Sequence, residues 1–124
     1  MHADLFRRGY EAFNAGRYFD AHEFFEAIWK ALPEGDEKSL YQGIIQLAVA
    51  LHHQKNDNAT GFHNVLERAC DHFASFRKSG TLPEGSLLGM IDVDDLIAQA
   101  ALLAMEPEDN SLPAIKIKTK TPGR

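Results

Sequence analysis

The chain has 124 residues, 44% of them hydrophobic and 25% charged, with a formal net charge of -5 and a single cysteine. That length suits one domain able to bury roughly two thirds of the surface its unfolded form exposes, so a core needs neither disulfides nor a structural metal. An acidic balance without a basic block argues against nucleic acid as the main partner. No apolar run approaches the roughly 20 residues of a membrane span, so a soluble, cytoplasmic protein with no membrane partner is expected.

Residues 3–14 carry Leu5, Phe6, Tyr10 and Phe13 at helical spacing and stop at Asn14-Ala15-Gly16, which predicts a first helix. Tyr18 to Leu32 predicts a second, ended by Pro33 and Gly35. The turn is short, so the third helix should return antiparallel to the second. That third helix, about Lys38 to Lys55, contains twelve consecutive residues without a charge, Leu40 to Leu51. Apolar on almost every side, it is expected at the centre of the molecule.

After "NDNATG", a fourth helix from about Ala59 to Lys78 places Phe62, Leu66, Ala69, Phe73 and Phe76 on one stripe. Its Cys70 reads as a small buried hydrophobe. "LLGMI" predicts a helical turn, and Asp92 or Asp94 a cap for a fifth helix reaching about Ala104. The fold class is therefore all-α: an irregular bundle of about five helices in one domain, residues 1–106. An extended tail, residues 107–124, follows Pro107 and carries Pro113 and Pro122. Its "AIKIKTK" alternates like an edge strand but has no partner strand, so coil is expected, with Lys116, Lys118, Lys120 and Arg124 as solvated charge.

The informative stretch is "YFDAHEFFEAIWKAL", Tyr18 to Leu32. At 100° per residue, His22, Glu26 and Trp29 share the apolar stripe flanked by Phe19 and Phe25. A carboxylate and an imidazole on such a face must find partners, because an unpaired buried charge costs several kcal/mol. Gln42, Gln46, Val49 and His53 form a second stripe on the third helix. Antiparallel packing brings His22 toward His53 and Glu26 level with Gln46, while His52 points about 100° away from His53. A polar pocket of His22, Glu26, Gln46 and His53 between the second and third helices is expected, with Glu23 and Trp29 at its margin and Gln42 as a further candidate binding residue.

Four readings of that cluster stay open. It can be a satisfied polar network that fixes helix register. His22, Glu26 and His53, with Glu23 as a further candidate, can hold a divalent ion such as zinc, manganese or nickel. The cluster can be a metal-free acid/base or small-ligand pocket walled by Trp29 and Tyr41, with Glu26 as base and hydrolytic or proton-transfer chemistry. Or the first two helices can form a non-catalytic, tetratricopeptide-like interaction hairpin, since Gly9, Gly16, Tyr18, Ala21, Phe25 and Pro33 fit much of that spacing. A homo-oligomer fits the last reading. Zinc-protease chemistry is disfavoured because "HEFFE" has Glu26 where a second histidine belongs, and Glu26 can instead pair with Lys30. Asp92, Asp94 and Asp95 lack the glycine and glutamate of a calcium loop, and no Gly-rich phosphate loop follows a strand.

Taken in order, "FNAGRYFDAHEFFEAIW", "YQGIIQLAVALHH" and "NATG" resemble the bacterial and archaeal family known as domain of unknown function 309, over about residues 6–76. The motif positions carrying the resemblance are Phe13, Asn14, Gly16, Tyr18, His22, Glu23, Glu26, Trp29, Gln42, Gly43, Ile45 and Gln46. The resemblance implies a small irregular α-helical array and brings no established activity with it. This chain departs from the family where Gly-Asn and then Gly-Ala are usual, with Asp57 before Asn58 and Phe62 after Gly61.

Overall fold

Five α-helices and one short 3-10 turn make up the regular structure of the described residues, 2–105 and 113–120 of a computed structural model. They are α1 (His2–Asn14), α2 (Tyr18–Ala31), α3 (Asp36–Lys55), α4 (Ala59–Ser79) and α5 (Val93–Met105), with the 3-10 turn at Leu87–Met90. The all-α class is as expected, and each helix ends within a few residues of its predicted bounds. Pro107, Pro122 and Arg124, with much of the predicted tail, lie outside the described residues.

The ends are set by local chemistry. α1 closes at Gly16, whose φ of 82 lies in the left-handed region, and the Arg17 N–H turns back to the Ala12 carbonyl. α4 opens on Asn58, whose side-chain oxygen accepts from the Gly61 N–H at 3.0 Å. α5 opens on Asp92, whose carboxylate accepts from the Asp95 N–H at 3.0 Å. Both supply a partner for a backbone donor that the helix itself leaves unpaired.

α3 packs on both α2 and α4, and buries Leu40, Tyr41, Ile44, Ile45, Leu47, Ala48, Ala50 and Leu51. Phe6 of α1, Phe25 of α2 and Tyr41 of α3 meet edge to face or tilted, with ring centroids 5.9 to 6.3 Å apart. This aromatic knot ties the first three helices together. The α3–α4 approach depends on Gly43, where an added Cβ would lie 2.8 Å from the Phe73 ring.

Residues 113–120 run extended, with one isolated bridge between Ile91 and Thr119, so the expectation of no strand ladder holds. The lysines of this part of the tail are exposed, as expected, but the apolar residues between them are not. Ile115 and Ile117 are buried in the common core. The Lys116 ammonium donates to the Asn14 carbonyl at 2.6 Å, and that of Lys118 reaches Asp95 at 3.4 Å. Alternation of apolar and basic residues lays the segment down against helices instead of against a second strand.

Candidate functional site

α2 and α3 run antiparallel, as the short turn requires. Phe19 at the start of α2 lies 5.5 Å from the His52 ring at the end of α3, and the Lys38 ammonium near the start of α3 sits 4.7 Å from the Trp29 ring. On that shared flank the His22 Nε2 is 3.7 Å from a Glu26 oxygen, and the other Glu26 oxygen is 3.8 Å from Lys30. The His22 side chain is 20% exposed and that of Glu26 39%. This is a half-buried chain of i, i+4 contacts along one helix, and the Glu26–Lys30 pair among them is the one the sequence offered as an alternative.

The histidine nearest in the stack is not the expected one. Phe19 lies between His22, 5.4 Å away, and His52. His53 instead organises the α3–α4 turn: its Nδ1 is 3.3 Å from the Asn58 amide nitrogen, its backbone carbonyl accepts from the Asn56 and Asn58 N–H groups, and its ring lies against Gly61. Helical phase placed His53 correctly on its stripe, but the turn claimed it. Among the described residues no three His, Cys, Asp or Glu side chains are grouped to hold a metal ion, so His22, Glu26 and His53 do not make the expected three-ligand centre.

Gln46 lines a cleft on the α4 side of α3. The cleft, about 420 Å³, is bounded by Ser39 and Gln46 of α3 and by Arg68, Asp71, His72 and Ser75 of α4. The Ser39 hydroxyl lies 3.3 Å from the His72 Nδ1. Gln42 and Trp29 are half-buried, whereas Glu23 is exposed. Tyr41, expected as a wall, is fully buried in the aromatic knot, where desolvation first and the Glu37 carboxylate second push its phenol pKa above the ordinary range.

Two buried side-chain atoms have no hydrogen-bond partner among the described residues: His22 Nδ1 and Gln46 Oε1. Both belong to the cluster that the sequence singled out. Sequence reasoning missed Arg68, Asp71, His72 and Ser75. Their signal was present in a polar row at i, i+3, i+4, i+7 beside the Phe62–Phe73 stripe. Ser39 and His72 invite comparison with a hydrolase relay, but Asp71 precedes His72 directly and so projects about 100° away from it. The cleft offers mixed charge and hydrogen-bonding groups.

Residues 6–65 match the model of the family described as Domain of unknown function (DUF309). The chain is 34% identical over 67 residues, 54% of its length, to an uncharacterized protein of Aquifex aeolicus (strain VF5), of which it covers 20%. It is 46% identical over 55 residues, 44% of its length, to the uncharacterized protein YpuF of Bacillus subtilis (strain 168), of which it covers 32%. The chain thus spans a third or less of each of these relatives. No solved structure matches it. The matched segment holds His22, Glu26, Gln46 and His53, and stops before the Arg68–Ser75 wall of the cleft.

Proposed function

We propose that this helical module binds a small polar molecule in the cleft between α3 and α4, with Gln46 as its central hydrogen-bonding group. The observation that carries the reading is the Gln46 Oε1, buried without a partner among the described residues, beside a cleft lined by Arg68, Asp71, His72 and two hydroxyls. An unpaired buried acceptor costs about 1–3 kcal/mol, and a ligand N–H or O–H recovers that cost when the Gln46 side chain turns its oxygen into the cleft. Arg68 suits a carboxylate or phosphate. The ligand class is accordingly a small anion that also carries an N–H or O–H donor, such as an amino or hydroxy acid. A volume of about 420 Å³ is within the range of small-molecule sites.

Binding is supported over catalysis because Glu26, the expected base, is half-exposed and shared between His22 and Lys30. The free, half-buried Cys70 fits a reducing, cytoplasmic setting. The test is thermal denaturation with millimolar L-glutamate, citrate or inorganic phosphate, beside an Arg68→Ala variant. A midpoint rise in the natural chain that the variant loses supports the cleft; no rise with any of the three, or a rise the variant keeps, removes it.

A second reading, a helical interaction module, rests on Phe19, 50% exposed although wedged between two imidazoles. Sedimentation of the natural chain and of Phe19→Ser examines self-association through that ring. A single monomeric boundary for both would set this form of the reading aside.

A further inference from the structure

The segment from Ile115 to Lys118 is held as a ligand would be held. Lys116 has both backbone groups bound by one side-chain amide: its carbonyl accepts from the Gln99 Nε2 at 2.8 Å and its N–H donates to the Gln99 Oε1 at 3.1 Å. Ile117 repeats the arrangement on the opposite side, accepting from the Asn14 Nδ2 at 2.9 Å and donating to the Asn14 Oδ1 at 2.7 Å. Successive residues of an extended chain point their backbone groups to opposite sides, so two amides 85 residues apart in sequence replace the two neighbouring strands of a sheet. At right angles to those bonds, Ile115 and Ile117 enter the core, while Lys118 meets Asp95 at 3.4 Å.

These contacts divide by what they recognise. The Asn14 and Gln99 amides read backbone and tolerate any extended sequence. The buried isoleucine positions select apolar side chains at i and i+2, and Asp95 selects a base one residue later. We infer that α1 and α5 form a docking groove for an extended peptide of alternating apolar and basic residues, occupied in this structure by the chain's own residues 115–118. The charge match with Asp95 and the pairing of both amides define that peptide chemistry. The segment is separable from the rest of the core: its withdrawal breaks the two amide pairings, the Lys118–Asp95 contact and the backbone bonds from the Asp92 N–H to the Lys118 carbonyl and from the Lys120 N–H to the Met90 carbonyl, and exposes two isoleucines, but it leaves the α1–α2–α3 aromatic knot untouched.

The probe is a fluorescent peptide of sequence PAIKIKTK, residues 113–120, added to the full chain and to a full-length Ile115→Ser, Ile117→Ser variant whose own segment docks poorly. A tethered competitor lowers apparent affinity by the fraction of open grooves, so the variant should bind the peptide at least about tenfold more tightly than the natural chain. Adding Asn14→Ala and Gln99→Ala to the variant should remove that gain. A folded variant that binds the peptide no better than the natural chain overturns the inference. If the variant does not fold, hydrogen exchange on the natural chain decides. The Lys116 and Ile117 amides should exchange faster than those of Leu47 and Ala48 in α3, and equal rates would make the segment a permanent part of the cooperative core and overturn the inference.

Discussion

Among the described residues the Gln46 Oε1 is buried without a hydrogen-bond donor, and an orphaned buried acceptor calls for an explanation. Replacing the amide by an apolar group of similar size removes the orphan. Gln46→Leu is expected to raise unfolding free energy by about 1 kcal/mol in denaturant titration, within the range for an unsatisfied buried group. A loss of about 1 kcal/mol or more would instead mark the amide as a satisfied member of a structural network. Asp57 illustrates a second kind of local cost. Its φ of 59 lies in the left-handed region at the end of α3, where glycine is unstrained. Asp57→Gly relieves about 1–2 kcal/mol of left-handed strain against about 0.5–1 kcal/mol of added unfolded-chain entropy, so a modestly higher thermal midpoint is expected; an unchanged or lowered midpoint would mean that the aspartate side chain offsets the strain.

Between elements, the decisive distance is the one from α3 to α4. Gly43 permits it, with the Phe73 ring and the His72 Cβ lying where a Cβ would intrude. Alanine favours a helix interior over glycine by about 1 kcal/mol, while overpacking a fitted contact costs about 1–3 kcal/mol. Overpacking wins, so Gly43→Ala should destabilise by about 1 kcal/mol and distort the neighbouring cleft through His72. Chemical denaturation that shows a gain would mean that Phe73 moves aside easily. At this scale the sequence was informative about helices and weak about who faces whom. Period and stop signals placed all five helices, and the turn length gave the α2–α3 direction. The stripe of Gln42, Gln46, Val49 and His53 was legible too. What it touched was not, because a polar stripe at the edge of a helix can face either neighbour, and only the packing sent Gln46 to α4 and His53 to the turn.

Across the molecule, Tyr41 at the aromatic knot and Tyr18 beside Phe13 both have phenols pushed up by burial. A folded-state pKa raised above the unfolded value of about 10 contributes stability that is full below pH 10 and is lost as pH rises toward the folded value. In a Tyr10→Phe, Tyr18→Phe background, Tyr41 should form phenolate only as helicity disappears, followed by absorbance and circular dichroism together. Ionisation with helicity intact would show that water reaches the knot. The carboxy-terminal segment was the least legible part of the chain, since its partners are two amide side chains and no periodicity announces them. Its clasp spans 103 positions, from Asn14 to Ile117. During synthesis α1 through α4 leave the ribosome while the Asn14 amide still has nothing to hold, so the clasp closes only after Ile117 has emerged, and a chain stalled within α5 would present that amide to whatever extended polypeptide lay nearby.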